Sequence, residues 1–289
     1  MKVSIDGVLL DGPEARIPVV DHGLLYGDGV FEGIRIYGGA VFKLDAHLRR
    51  LSVSASVLGL ELPGGLAGLR ATLLATARAF GEPEAYARLI VTRGDGPLGV
   101  DPTSCPRPRT ICIVDRIGLF PPEKVARGLE VVTSSVRRPA PDALEPRVKS
   151  LNYLGSVLAK QEARRQGADE ALLLNTAGAV AEASVANVFV VRDGCLATPP
   201  ASDGALEGIT RASVLEIAAR IGLRASERTL GRIDLLGADE VFLTGTGARI
   251  VPVRSLDGRA IGTGGAGPVT ARLQAAFAGY VKEFATPWA

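Results

Sequence analysis

The order of apolar and polar positions divides the chain into two successive groups of predicted elements. In the first group, short apolar runs flank Asp6-Gly7 and Gly38-Gly39, which predicts two β-hairpins. Apolar residues at helical spacing follow, with Asp45 placed to cap the first helix. The predicted elements are strands at 3–5, 8–10, 30–37 and 40–44, helices at 45–58 and 66–80, and strands at 86–93 and 110–114. This order predicts an α+β domain over residues 1–117 with antiparallel pairing.

The second group begins after a segment rich in glycine and proline, 118–126, which we interpret as an interdomain linker. Residues 127–289 then predict a larger α/β domain. Its elements are strands at 129–135, 171–174, 188–191 and 240–243, helices at 151–165 and 211–221, and a last helix opening at Pro268. The helix over 151–165 places Leu151, Leu154 and Leu158 on one face.

Composition narrows the class of protein. Hydrophobic residues make up 47% of 289 positions and charged residues 22%, as in ordinary globular proteins. The 33 basic and 31 acidic residues leave a net charge of +2, so we expect neither nucleic-acid nor membrane binding through bulk charge. Three separated cysteines and two histidines favour neither a disulfide scaffold nor a metal centre. An acid and a glycine stand where a signal peptide needs apolar residues, and these features together predict a cytoplasmic protein.

Three segments offer groups that could hold an anionic ligand with a carbonyl carbon. Lys149 stands just before a predicted helix, where an ammonium is disfavoured and a nucleophilic amine favoured. Thr210 is predicted to cap the next helix, whose first N–H groups could bind phosphate. The turn 244–247, Thr-Gly-Thr-Gly, follows a strand and could add N–H and hydroxyl donors. Each segment also fits an ordinary role: an exposed lysine, a plain cap and a common turn.

Charged residues in apolar surroundings add to this set. Glu182 lies beside apolar residues near a strand end, Arg88 lies in an apolar strand, and Arg50 lies in the helix after the second hairpin. Taken singly, each could be a surface acid or a salt-bridge member. Together with the lysine and the anion sites they match the needs of pyridoxal phosphate: an amine for the aldehyde, donors for the phosphate and an acid for the pyridine nitrogen.

The chain resembles the fold-type IV (class IV) pyridoxal-phosphate-dependent aminotransferases, and among them the branched-chain amino acid group. The resemblance runs from Asp6 to the helix after Pro268. It rests on four blocks in order, at 21–35, 149–154, 206–211 and 241–246. It implies a two-domain α+β fold, like that of D-amino acid aminotransferases, with the cofactor between the domains. It also implies a homodimer or larger homo-oligomer, in which a loop matching Leu98-Gly99-Val100 closes the neighbouring subunit's pocket.

The resemblance assigns a role to each matching position. Lys149 would form the Schiff base and move a proton between the substrate Cα and the cofactor C4′, and Glu182 would pair with the pyridinium nitrogen. The other implied cofactor residues are Arg50, Ile209, Thr210 and Thr246 for the phosphate and Tyr153 near the ring oxygen. The implied substrate residues are Tyr26, Phe31, Gly33, Tyr86 and Arg88 in the pocket, with Thr246 and Gly247 for the substrate carboxylate. No metal is implied.

The implied activity is transamination of leucine, isoleucine and valine with 2-oxoglutarate as acceptor. Two departures bear on this substrate choice: Gly247-Ala248-Arg249 stands where the branched-chain group usually has Ala-Ala-Glu, and Ala183 follows Glu182 where that group usually has glycine. Two alternatives share the fold: a D-amino-acid aminotransferase, and an aminodeoxychorismate lyase that needs no acceptor acid. A third is a cofactor-binding protein without turnover, against which the intact Lys149 stands.

Overall fold

The computed structural model describes residues 1–288. Its strands are β1 (Lys2–Ile5), β2 (Val8–Asp11), β3 (Gly29–Tyr37), β4 (Ala40–Phe42), β5 (Ala85–Thr92), β6 (Arg109–Asp115), β7 (Leu129–Arg137), β8 (Glu170–Leu174), β9 (Val180–Ala183), β10 (Asn187–Arg192), β11 (Cys195–Thr198), β12 (Ala225–Glu227), β13 (Glu240–Gly245), β14 (Arg249–Leu256), β15 (Arg259–Ala260) and β16 (Ala285–Pro287). Its α-helices are α1 (His22–Tyr26), α2 (Leu44–Val57), α3 (Gly65–Phe80), α4 (Pro122–Arg127), α5 (Leu154–Arg165), α6 (Ile209–Arg220), α7 (Arg232–Leu236) and α8 (Pro268–Glu283).

The chain forms two compact units, and neither is continuous in sequence. Unit 1 consists of residues 1–117, 148–152 and 283–289, and unit 2 of residues 118–147 and 153–282. The predicted ranges differ from these units in two segments, 148–152 and the C-terminal residues. The first is joined to β3 by an isolated bridge between Val30 and Ser150, and β16 pairs with β4 at the edge of the sheet, so both belong to unit 1. Ala289, the last residue of the predicted second domain, lies outside the described residues.

Unit 1 is built on an antiparallel sheet in the order β16-β4-β3-β5-β6-β1-β2. Both predicted hairpins are present, since β1 pairs with β2 and β3 with β4. At the first turn Asp6 has a φ of 49° and Gly7 a φ of 86°, the left-handed pair that a tight two-residue turn requires. Helices α2 and α3 pack on the sheet through a shared core that includes Leu51, Leu73 and Leu89.

Unit 2 is built on a nine-stranded mixed sheet, in the order β12-β11-β10-β13-β14-β7-β8-β9 with β15 paired to β14. Three pairings are parallel, those of β11 with β12, β14 with β7, and β7 with β8. The core includes the stacked rings of Phe189 and Phe242, whose centroids lie 5.0 Å apart. No helix within residues 1–288 is long and apolar enough to span a membrane.

Three predicted helix starts differ from the structure. Helix α2 begins at Leu44 with Lys43 as its cap, so Asp45 lies in the first turn and is not the cap. The cap of α6 is Gly208, not Thr210, because an extended glycine already turns the chain into the helix two residues earlier. Helix α5 begins at Leu154, so Lys149 lies outside its first turn, and the helix-end argument for a deprotonated amine does not apply. The predicted linker includes part of α4.

Candidate active site

Unit 1 binds both backbone groups of Lys149, the N–H and the carbonyl. The backbone N–H of Phe31, in β3, donates to the Lys149 carbonyl at 3.0 Å. The Lys149 N–H donates to Ser54 Oγ, in α2, at 3.1 Å. Because a helix binds the N–H of Lys149 and a strand binds its carbonyl, the Cα from which the side chain starts is fixed relative to both elements.

The ring of Phe31 lies beside two cationic side chains. Lys149 Nζ is 4.5 Å from the ring centroid, and Arg88 Cζ is 4.6 Å from it. Both distances are within cation–π range. Phe31 therefore lies next to both Lys149 and Arg88, for which the sequence predicts different roles.

Four of the predicted substrate residues share one face of the β3–β5 pair. Gly33 lies directly opposite Arg88, and Phe31 and Tyr86 lie two residues away from them along their own strands. Side chains two residues apart on a strand share a face, as do directly opposed residues. Tyr86 extends over Gly33, since a Cβ at Gly33 would lie 1.9 Å from its hydroxyl oxygen. Arg88 Nη2 donates a long bond of 3.4 Å to the same hydroxyl.

The opposite face of β3 carries a buried carboxylate, Glu32, bound to two residues of α2. Arg50 donates from Nε to Oε1 and from Nη2 to Oε2, each at 2.7 Å. His47 Nδ1 lies 2.7 Å from Oε2. Burial raises the pKa of Glu32, but the two partners outweigh burial and hold that pKa at about 2. Burial lowers the pKa of His47, and the contact with Glu32 only partly opposes this, so a neutral imidazole donates its Nδ1–H to the carboxylate at pH 7.

Tyr26 and the loop 98–100 contact each other within the chain. The N–H of Gly99 donates to the Tyr26 hydroxyl at 2.8 Å. Leu98 and Val100, on either side of Gly99, are each 81% exposed. The loop thus presents two apolar side chains to solvent from a backbone that Tyr26 holds.

In unit 2, Glu182 lies in β9 and is surrounded by donors. Arg138 Nη2 lies 3.1 Å from Oε1. Asn187 Nδ2 donates to Oε2 at 3.1 Å and the Leu206 N–H donates to the same atom at 3.0 Å. A guanidinium and two N–H donors form an environment that suits a carboxylate anion. Asn187 also donates to the Leu206 carbonyl at 2.8 Å, so it joins Glu182 to the loop that leads into α6.

The loop from Leu206 ends at the N-terminus of α6, where Ile209 and Thr210 form the first turn. The first N–H groups of a helix have no intrahelical acceptor, so this turn can bind an anion. Thr246 and Gly247 lie in the turn between β13 and β14. Just before them, Thr244 Oγ1 is buried and makes no hydrogen bond within the described part of the chain. Tyr153, the last of the predicted cofactor residues, precedes α5.

The comparisons with known proteins agree on one family. The family model described as "Amino-transferase class IV" matches residues 29–256, which is well over half of the chain. The chain is a class IV aminotransferase. The prediction made from the four sequence blocks is therefore confirmed.

Several relatives of this aminotransferase match over nearly their full length. A Methanocaldococcus jannaschii protein, provisionally named a branched-chain-amino-acid aminotransferase, is 45% identical over 100% of this chain and 98% of its own. The branched-chain-amino-acid aminotransferase of Escherichia coli K12 is 37% identical over 96% and 92%. A crystal structure of an Escherichia coli branched-chain amino acid aminotransferase superposes with a TM-score of 0.96 at 34% identity, covering 100% of this chain and 99% of that one. This similarity confirms the predicted two-domain fold.

The D-amino-acid alternative also has a relative. The D-alanine aminotransferase of Bacillus licheniformis is 36% identical over 96% of this chain and 95% of its own. Its identity is lower than the 45% of the Methanocaldococcus jannaschii protein. The similarity therefore favours the branched-chain group.

Sequence reasoning missed five residues in this aminotransferase: four contact a predicted residue, and the fifth, His47, contacts one of those four. They are Glu32, His47 and Ser54 in unit 1, and Arg138 and Asn187 in unit 2. Glu32 carried the same signal that drew attention to Arg88, an ionisable residue in an otherwise apolar strand. The others carried no pattern, because their contacts join elements distant in sequence.

Proposed function

We propose that this aminotransferase exchanges the amino group of branched-chain L-amino acids with 2-oxoglutarate, using pyridoxal 5′-phosphate. The observation that carries the proposal is the anchoring of Lys149 next to Phe31, on the face of β3 and β5 that also bears Gly33, Tyr86 and Arg88. An amine beside the rings of Phe31 and Tyr86 suits an amino acid with an aliphatic side chain. Two solved structures of a related branched-chain amino acid aminotransferase, 36% identical to this chain, hold pyridoxamine 5′-phosphate and, separately, 4-methylvaleric acid.

The residues present fit the cofactor. Lys149 offers an amine, Arg50 a guanidinium and Glu182 a carboxylate, and the first turn of α6 offers N–H groups. The buried Thr244 hydroxyl is a hydrogen-bonding group that has no partner within residues 1–288. We assign Lys149 to the cofactor aldehyde, Glu182 to the pyridine nitrogen, and Arg50, Ile209, Thr210 and Thr246 to the phosphate. Tyr153 is assigned to the ring oxygen.

Pyridoxal phosphate, when bound, supplies a conjugated ring that accepts the electron pair left when the substrate Cα loses its proton. The Lys149 amine would move that proton between the substrate Cα and the cofactor C4′. Glu182, fixed by Arg138 and Asn187, would accept a hydrogen bond from the pyridine nitrogen and so keep that nitrogen protonated.

Arg88 is the cation among the proposed substrate residues. The aliphatic side chain of the amino acid substrate has no group that pairs with a guanidinium, whereas 2-oxoglutarate carries a second carboxylate that a guanidinium binds well. We assign Arg88 to that carboxylate, and Tyr26, Phe31, Gly33 and Tyr86 to the side-chain pocket. Thr246 and Gly247 are assigned to the α-carboxylate.

The visible absorption spectrum of the purified enzyme tests this function. L-leucine should convert the lysine-bound cofactor band to the pyridoxamine form, and 2-oxoglutarate should restore it, whereas D-alanine should leave it unchanged. Bleaching by D-alanine alone would move the chain to the D-amino-acid group. A band that neither amino acid alters would favour the lyase. The Lys149→Ala variant is the matched control and should show neither band nor turnover.

We further propose that the enzyme is a cytoplasmic homodimer or larger homo-oligomer. Helix α5 supports the assembly, because its buried residues are small while Leu154, Val157 and Leu158 are 69%, 59% and 46% exposed on adjacent turns. An exposed apolar stripe of this kind is typical of a protein interface. Leu154→Glu should lower the mass measured by sedimentation, whereas Glu substitution at exposed Val57 of α2 should not. Three free cysteines suit a reducing compartment.

A further inference from the structure

The buried carboxylate of Glu32 has no role in the function proposed above. It is fully enclosed on the core face of β3, where its neighbours along the strand are Val30 and Ile34. An ionised carboxylate in such surroundings is costly unless charged and hydrogen-bonding partners compensate for lost water. Two side chains of α2 meet this need, one turn apart, and they bind the carboxylate from the same helix.

The contact with Arg50 has the geometry of a clamp. Two parallel bonds of 2.7 Å join Nε and Nη2 to the two carboxylate oxygens. This bidentate arrangement fixes the plane of the guanidinium as well as its distance. His47 holds Oε2 from a further side, and its own Nε2 is buried without a hydrogen-bond partner in residues 1–288, so it makes no competing bond that would turn the ring.

The same two elements hold Lys149. Ser54 lies one turn after Arg50 in α2 and accepts from the Lys149 N–H. Phe31 precedes Glu32 in β3 and donates to the Lys149 carbonyl. The carboxylate therefore joins, side chain to side chain, the helix and the strand that bind the two sides of the lysine peptide.

We propose that Glu32, braced by His47, is a positioning residue that sets the Arg50 guanidinium relative to Lys149, and so fixes the spacing between the group that binds the cofactor phosphate and the amine that binds its aldehyde. This inference rests on the proposed roles of Arg50 and Lys149. It gives Glu32 no contact with cofactor or substrate. Its effect is transmitted through Arg50 alone, and it is therefore specific to a cofactor that carries a phosphate.

The test compares the affinities of the cofactor-free, full-length chain for pyridoxal phosphate and for pyridoxal, which lacks the phosphate. The ratio of the two dissociation constants reports the contribution of the phosphate contacts. Glu32→Gln keeps the shape but not the charge, and Arg50→Ala removes the phosphate ligand. Asp28→Asn is the matched control, because Asp28 is bound to Arg93 of the same unit by two bonds, at 2.9 and 3.2 Å.

Wild type should prefer the phosphorylated form, and Glu32→Gln should reduce that preference by about tenfold or more, as for loss of a charge-assisted bond. Affinity for pyridoxal should stay within about twofold. The double variant with Arg50→Ala should lose no more preference than Arg50→Ala does, because the two act as one unit. Asp28→Asn should keep the wild-type ratio. If Glu32→Gln does not fold, Glu32→Asp takes its place with the same expected outcomes. Aspartate keeps the charge, but its side chain is shorter by one methylene.

Different outcomes separate this inference from the proposed function. A wild-type chain without phosphate preference, or an Arg50→Ala chain that retains it, overturns the role of Arg50 itself. If Arg50 proves essential while Glu32→Gln keeps the ratio, the positioning role is wrong. It is also wrong if the losses at the two positions add, if Asp28→Asn causes the same loss, or if removing the carboxylate tightens phosphate binding by leaving Arg50 with a stronger positive charge.

Discussion

Alanine at Gly33 perturbs the substrate face through one contact. A Cβ there would lie 1.9 Å from the Tyr86 hydroxyl oxygen and 2.7 Å from Cζ of the same ring. Ordinary van der Waals contact begins at 3.4 Å, so the hydroxyl must retreat by about 1.5 Å. Gly33 does not have a positive φ, so alanine adds no backbone strain. The stability of unit 1 should therefore change little, while the position of the Tyr86 ring changes.

Displacement of a pocket residue by more than 1 Å lowers kcat/KM for L-leucine by up to about a hundredfold when that residue aligns the substrate. Stopped-flow bleaching of the cofactor band by L-leucine measures this loss, and a thermal melt confirms that the fold is intact. Gly279→Ala is the control, because that helical glycine has nothing within 4 Å of the added Cβ. If Gly33→Ala retains kcat/KM within about threefold of wild type, Tyr86 does not line the substrate pocket and the assignment of this face fails.

Three further predictions concern stability, the acceptor and the cofactor. Glu32 has a pKa of about 2 in the fold against an ordinary 4.5, so its contribution of about 3 kcal/mol to the free energy of unfolding is full above pH 5 and is lost as the pH falls toward 2. Urea unfolding followed by the fluorescence of Trp288, the single tryptophan, which lies in unit 1, should therefore show a smaller loss of stability in acid for Glu32→Gln than for wild type. An equal loss would refute this linkage. Arg88→Gln should raise the KM for 2-oxoglutarate about tenfold to a hundredfold while changing that for L-leucine less than about threefold, and equal changes would place Arg88 elsewhere. Gly208→Ala would set a Cβ 2.0 Å from Asn187 Oδ1, so titration with the cofactor should show weaker binding. Unchanged binding would mean that the position of Asn187 does not matter to the cofactor site.

Helix α5 shows how far a hydrophobic pattern reaches. The period correctly predicted a helix, yet the large residues Leu154 and Leu158 lie at the surface and the small residues Ser156, Ala159 and Ala163 are buried. Small residues let a helix approach a sheet closely, but a search for large apolar residues at helical spacing does not identify them as the buried face. The sequence alone cannot distinguish a face that meets its own core from one that meets another molecule.

Strand β14 was missed for a local reason. It contains Pro252, which has no N–H to donate, and its pairing with β7 shifts register between Val253 and Ser255. The strand forms because its neighbours β13 and β7 bind it from both sides. Such support is tertiary and leaves no trace in the window of sequence that contains the proline.

The candidate site divides in the same way. An ionisable residue in an apolar strand directed attention to Arg88 and Glu182, and the structure places each among polar or aromatic partners. Lys149 was singled out from its place before a helix, but the bonds that hold it come from Phe31 and Ser54. Partners of this kind are distant in sequence, so only the folded chain brings them together.

The discontinuity of unit 1 has a consequence for how the chain is made. Residues 1–117 leave the ribosome before unit 2 begins, but the segment that carries Lys149 follows thirty residues of unit 2, and the edge strand β16 follows the remaining residues of unit 2. Until then β4 has an unpaired edge. Unit 1 can therefore be completed only after unit 2 has been made, so a fragment of residues 1–117 would lack both Lys149 and the strand that pairs with the edge of β4.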